Sequence, residues 1–84
     1  MLYSEFNPCE VLRVDLHKMK VWEATVYLNN VVNRTPKDIK EIVVIHGYNN
    51  GTALLDMVRN DFVNKRIKMK LKGLNQGITS LILN

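Results

Sequence analysis

Two short motifs carry the side chains best suited to chemistry: Val14-Asp15-Leu16-His17 and Val44-Ile45-His46-Gly47, which hold the only two histidines of the chain. Asp15 and His17 are two residues apart, so on an extended segment they share a face, with α-carbons about 6.5 Å apart. Histidine is the side chain most easily poised near neutral pH, and a nearby carboxylate fixes its orientation and favours its charged form. Beyond His46, Gly47 and Gly51 bracket Tyr48, Asn49 and Asn50, and Thr52 follows at the start of a helical stretch. The free amides and positive dipole end of such a helix favour a phosphate. An acid–base pair beside a phosphate-holding loop suits a phosphodiester. Taken singly the signals are weak, because an Asp-X-His is most often a solvated strand end and a glycine-bracketed turn is usually only a turn.

Other chemistries fit less well. GYNNGT lacks the lysine and the glycine spacing of a Walker loop, and no GxGxxG occurs. Two histidines 29 residues apart with one cysteine do not make a structural zinc site. Ser4 and Ser80 stand in no nucleophile-elbow context and Cys9 precedes the first strand, which argues against covalent catalysis. Trp22 and the methionines read as core or rim packing rather than as base-stacking platforms.

These side chains need a scaffold, and the periodicity supplies one. Val11 to His17 alternates, with Leu12, Val14 and Leu16 on one side and Arg13, Asp15 and His17 on the other, which predicts a strand. From Lys20 to Arg34, Val21, Ala24, Leu28, Val31 and Val32 fall at helical spacing, and Thr35-Pro36 ends the helix. Glu41 to His46 is a β-branched strand of continuous apolarity, as expected of a central position. A second helix is predicted over 52–64, burying Leu54, Leu55, Val58 and Phe62. Arg66 to Lys72 alternates Ile67, Met69 and Leu71 against Lys68, Lys70 and Lys72, the pattern of an edge strand with a basic outer face. Gly73 to Gly77 reads as a turn and Ile78 to Leu83 as a last strand, giving the order βαβαββ.

Strands joined by a helical crossover run parallel. His17 and His46 therefore end two parallel strands at one rim of the sheet, and the Gly73–Gly77 turn, with Asn75 and Gln76, returns to that rim. Ligands of open α/β sheets bind at this end.

With 84 residues the chain is one domain, apolar residues make up 46% and charged residues 24%, so a small core is expected and disorder is not. The net charge of +4 is concentrated: seven basic and seven acidic residues cancel up to Arg59, and five basic residues face only Asp61 thereafter. A localised basic surface suits a polyanion, although lysines on an edge strand also serve simply to keep it soluble. The start MLYSEFNPCE has neither the basic segment nor the apolar run of a secretory signal, a single cysteine cannot form an internal disulfide, and no apolar run approaches membrane-spanning length. The expectation is a cytoplasmic protein.

The ordered set VDLH, a crossover helix, VIHG, a glycine-containing turn and Gly77-Ile78-Thr79 resembles the small MutS-related, or Smr, domain over residues 11 to 83, in a short stand-alone form. The resemblance implies an α/β (α+β) two-layer sandwich, a four-stranded mixed sheet of order 1-2-4-3, similar to the carboxyl-terminal domain of the third bacterial translation initiation factor. It divides the chain into an N-terminal extension, 1–10, and an Smr-like domain, 11–84. It also implies nucleic-acid binding and, in several members of the family, nicking of DNA or endonucleolytic cleavage of RNA, in some with a divalent metal such as Mg or Mn. Asp15 and His17 match the leucine-aspartate-x-histidine motif and carry the catalytic role, with Asp15 orienting the ring or holding a metal. His46 and Gly47 match the histidine-glycine motif, which the resemblance adds to the catalytic set with Asp15 and His17, His46 holding the phosphate together with the loop amides.

Four departures bear on cleavage more than on binding. Asn49 stands where a second glycine is usual, Gly51 is displaced, Lys18 replaces a glycine, and the third glycine motif is reduced to Gly77 and Thr79. The expected nucleic-acid contacts are Lys18, the loop from Gly47 through Tyr48, Asn49, Asn50 and Gly51 to Thr52, the basic strand with Arg66, Lys68, Lys70 and Lys72, and Asn75 and Gln76 of the last turn. Two other readings stay open, a non-catalytic RNA- or ribosome-binding module and a phosphate or nucleotide ligand-binding domain.

Overall fold

The alternation and β-branched runs place four strands in one sheet: β1 (Val11–Asp15), β2 (Glu41–Ile45), β3 (Ile67–Lys72) and β4 (Ile78–Leu83). The computed structural model describes residues 11–48, 51–73 and 75–84, so the extension 1–10, Asn49 and Asn50 lie outside the described residues. The sheet order is β1-β2-β4-β3. β1 pairs parallel with β2, and β4 pairs antiparallel with both β2 and β3, so the sheet is mixed and β3 is an edge strand as expected.

Helix α1 (Val21–Arg34) crosses from β1 to β2, and its residues Ala24, Leu28 and Val32, one turn apart, are fully buried. They pack on Val14, Leu16, Ile42, Val44, Leu81 and Leu83, the inward residues of three strands. Each fully buried aliphatic side chain contributes roughly 1.5–3 kcal/mol. Trp22 lies outside this stripe at 69% exposure, so the expectation that it packs in the core or rim is corrected. Its neighbours on the helix, Val26 and Tyr27, are exposed with it.

The second crossover is shorter and wider than periodicity suggests. Helix α2 is α-helical only over Ala53–Asp56 and continues as a π-helix over Met57–Asp61. The Phe62 amide donates to the Met57 carbonyl at 2.7 Å, the i to i−5 bond of a π turn. The extra residue brings Phe62 round onto the core beside buried Met57 and Val58. Phe62 is already extended, so the helix ends three residues before the predicted Asn64.

Strand β3 overturns the expectation of one basic face. The register shifts between Ile67, which pairs with Leu83, and Met69, which pairs with Ile82, so Lys68 is a bulged residue without a partner. Beyond the bulge the alternation is inverted: Lys70 pairs with buried Leu81, on the helix-covered face, while Met69 and Leu71 are exposed at 49% and 48% on the open face. The Lys70 ammonium donates to the Phe62 carbonyl at 2.5 Å and the Arg59 carbonyl at 3.4 Å, satisfying the end of the π-helix. Burial lowers the Lys70 pKa, and the nearby Asp61 carboxylate opposes the shift.

Arg66 is likewise tied into the fold. Its guanidinium donates at 2.6 Å to each of the Val32 and Thr35 carbonyls, where α1 ends ahead of Pro36. Two charged hydrogen bonds on otherwise open helix carbonyls contribute about 2–3 kcal/mol. Arg66→Ala should therefore lower the unfolding free energy in urea by about 2 kcal/mol, while Lys68→Ala should stay within about 0.5 kcal/mol of the parent. Equal midpoints for the two variants would remove this cap from the account.

Candidate functional site

The carboxyl ends of β1 and β2, the amino ends of both helices and the start of β4 meet at one rim. β1 and β2 are in register with Asp15 opposite Ile45, and the Leu16 amide extends the ladder to the Ile45 carbonyl at 2.7 Å. His17 and His46 thus leave the sheet at the same level and line one cleft of about 640 Å³. Lys18, Met19, Lys20 and Val21 form one wall, and Gly47, Tyr48, Gly51, Ala53 and Leu54 the other.

Asp15 and His17 are paired. The Asp15 Oδ1 accepts the His17 backbone N–H at 3.0 Å and lies 2.5 Å from Nδ1 of the ring. Both side chains are about half exposed, 53% for Asp15 and 48% for His17. A carboxylate only accepts, so Nδ1 carries the proton toward Asp15 and leaves Nε2 for a ligand. The side-chain and backbone hydrogen bonds from His17 hold the Asp15 carboxyl below the usual carboxylate range, with the Lys18 charge adding a smaller effect in the same direction.

His46 is placed differently. It is 2% exposed, and both ring nitrogens are engaged, Nδ1 with the Gly47 carbonyl at 3.0 Å and Nε2 with Thr79 Oγ1 at 2.8 Å. Burial lowers its pKa foremost; the Gly47 carbonyl opposes this and the Arg59 charge adds to it. The backbone around it is clamped, because the amides of His46 and Gly47 both donate to the Gly77 carbonyl, at 2.9 and 3.0 Å.

Two glycines are fixed by this closeness. Gly47 has φ +72°, in the left-handed region, and a Cβ there would stand 3.3 Å from the His17 Cβ. A Cβ on Gly77 would stand 3.2 Å from both the Gly47 α-carbon and Asn75 Oδ1. The last turn therefore does return to the rim, held by Asn75, whose Oδ1 accepts the Gly77 amide at 2.7 Å.

The remaining sequence candidates divide. Lys18 and Tyr48 line the cleft, and the Gly51 amide closes back onto the Tyr48 carbonyl at 3.3 Å. Thr52 precedes α2 but donates its hydroxyl to Asp56 at 3.1 Å instead of capping the helix. Gln76 is exposed, and its carbonyl accepts from Arg59 at 3.5 Å. Arg66, Lys68, Lys70 and Lys72 are not among the residues of the cleft, and two of them bond to protein carbonyls. Sequence reasoning passed over Lys20, whose amide is held by Glu23 at the start of α1, and Arg59; the first was legible as the residue before a rim helix, and the second had no signal.

Among the described residues no three His, Cys, Asp or Glu side chains gather into a metal site. Asp15 alone is not a cage for magnesium, which takes its other ligands from water and phosphate. No helix among the described residues is long and apolar enough to cross a membrane.

The fold is that of a known domain. The crystal structure of the Smr domain of Thermus thermophilus MutS2 matches with a TM-score of 0.78 at 20% sequence identity, covering 87% of this chain and 98% of that one. No family model matches the sequence, and no curated protein does.

Proposed function

On the premise of an Smr fold, we propose that the chain is a nucleic-acid-binding domain whose rim cleft takes the phosphodiester backbone, and that the Asp15–His17 pair serves endonucleolytic cleavage there. The observation that carries the reading is the hydrogen-bonded Asp15–His17 pair standing, half exposed, beside a cleft walled by Lys18, Lys20 and the amino ends of both helices. In the reaction His17 Nε2 takes the proton from the attacking oxygen as the phosphorus–oxygen bond forms. Asp15 keeps the ring oriented and stabilises the imidazolium, and solvent water protonates the departing oxygen, on the opposite side of the phosphorus, as its bond to phosphorus breaks. Lys18 and Lys20 offset the phosphate charge.

A binding-only module is favoured by one observation of its own: His46 is enclosed with both nitrogens used, which leaves His17 as the only histidine open to a ligand. The two readings share the cleft and part at His17. The tied Arg66 and Lys70 shift the expected phosphate contacts from β3 to the rim.

The test is fluorescence anisotropy with single- and double-stranded DNA and RNA across salt, with and without Mg or Mn. Affinity should fall with salt, because neutralising phosphates releases counterions. Lys18→Ala with Lys20→Ala should lower the log–log slope by about 1.4 for single strands or about 1.8 for duplex, while Lys68→Ala with Lys72→Ala changes it less. A cleft variant that binds like the parent would move the site away from the rim.

A further inference from the structure

We infer that Arg59 and Thr79 are positioning residues that lock His46 in one neutral tautomer and thereby hold the Gly47 turn against the cleft. The inference rests on the cleft being the ligand site, but its first readout does not involve a ligand.

The direction of each hydrogen bond follows from what the groups can do. The Gly47 carbonyl only accepts, so His46 Nδ1 must carry a hydrogen to bond it at 3.0 Å. In the neutral ring Nε2 is then an acceptor, and the partner at 2.8 Å, Thr79 Oγ1, must donate its hydroxyl hydrogen to it. Thr79 is fully buried, and its oxygen receives the Arg59 Nε–H at 2.7 Å. The chain runs in one direction, from Arg59 to Thr79 to His46 to Gly47, with every donor and acceptor used once. Reversal is blocked at its head, because a guanidinium has no acceptor.

The anchor at the head is strong. A second Arg59 nitrogen donates to the Ile78 carbonyl at 3.0 Å, so the guanidinium is held at two successive residues of β4, by the Ile78 backbone and the Thr79 side chain. Its own backbone lies in the π-helical segment, and the carbonyl of that same residue accepts from Lys70. The wide turn thus does more than fill the core. It carries Arg59 to the start of β4 while Met57, Val58 and Phe62 remain buried.

At the other end the consequence falls on the site. Gly47 packs against the His17 β-carbon on one side and Gly77 on the other, so the orientation of the Gly47 peptide sets the cleft wall beside His17. A ring locked by bonds at both nitrogens and enclosed at 2% exposure is a fixed strut between β4 and the cleft, and it does not exchange protons with substrate. The histidine of the second motif is therefore a positioning residue, unlike the catalytic role its sequence context suggested.

The experiment is ¹⁵N-edited NMR of the imidazoles in the whole chain without nucleic acid, followed by anisotropy on the same samples. The parent should show His46 at neutral pH as the Nδ1–H tautomer. Thr79→Val, which keeps shape and removes the hydroxyl, should release the ring into a mixture with the Nε2–H form, and so should Arg59→Met. Thr79→Ser restores the donor and should restore the single tautomer. In the released variants nucleic-acid affinity should drop about five- to tenfold, the size of one lost hydrogen bond to a held group, with Asp15 and His17 intact. An Nε2–H tautomer in the parent, or an unchanged one in Thr79→Val, overturns the inference. A released tautomer with unchanged affinity overturns its link to the cleft, whereas failure of the parent to bind any nucleic acid tells only against the proposed function.

Discussion

Asp15→Asn and His17→Ala should each lower cleavage of a susceptible strand by about 10²–10⁴-fold while changing nucleic-acid affinity by less than about threefold, the range that a positioned acid–base group contributes. The geometry explains the separation. The pair is half exposed at the end of β1, its hydrogen bonds are to each other, and none reaches the core, so neither substitution opens a cavity. Asp15→Asn is the sharper of the two. An amide can present either its oxygen or its NH₂ to Nδ1, so the ring loses the partner that holds the Nδ1–H tautomer and Nε2 is no longer reliably the free base. The unfolding free energy should change by no more than the roughly 0.5 kcal/mol typical of exposed sites. Cleavage surviving in both variants would place the chemistry elsewhere or in a contaminant. A parent that binds but never cuts across metals and substrates would leave the binding-only module as the function.

What the sequence disclosed and what it hid differ in a physical way. The inward rows Leu12-Val14-Leu16 and Ala24-Leu28-Val32 have strict periods, and burial follows them, so the layers, the parallel β1–β2 pair and the convergence of His17 and His46 were legible. The mixed order β1-β2-β4-β3 came from motif resemblance rather than from periodicity. In β3 the residue types alternate as cleanly as anywhere in the chain, yet one bulge at Lys68 reverses the faces, because alternation records types and not the register against Leu83 and Ile82. Lys70 consequently became a cap on helix carbonyls instead of a phosphate contact. The π turn was invisible for a similar reason: Met57, Val58 and Phe62 satisfy an α pattern almost as well, and only the Phe62 to Met57 bond distinguishes them. At the rim, type and exposure parted for His46. Its neighbour Thr79 is 33 residues away in sequence, and no local pattern says that a hydroxyl and a guanidinium will meet the ring.

His46 should therefore govern stability, and its signature should be a dependence on pH. His46→Ala removes a buried ring and leaves the Thr79 hydroxyl hydrogen without its acceptor and the Gly47 carbonyl without its donor, so the loss should be about 3 kcal/mol from the cavity and the orphaned groups together. The sign of the pH effect follows from its lowered pKa, which burial produces first and the Arg59 charge reinforces. The unfolded chain takes up the proton near the ordinary value of 6.5 while the folded ring resists it. Stability is thus complete above about pH 6.5 and falls as the solution is made more acid, with a slope of at most about 1.4 kcal/mol per pH unit for one proton, until the folded ring also titrates. Protonation would also put a hydrogen on Nε2, which faces the Thr79 hydroxyl hydrogen, and would place a second positive charge beside Arg59. Urea midpoints between pH 8 and pH 5, measured in a His17→Ala background so that His46 is the only histidine, should fall with acidification. His46→Gln in that background, which keeps an acceptor near Nε2 but cannot titrate, should flatten the curve. A parent curve as flat as that of the glutamine variant would mean that the ring accepts its proton equally in both states, and would tell against its enclosure between Thr79 and Gly47.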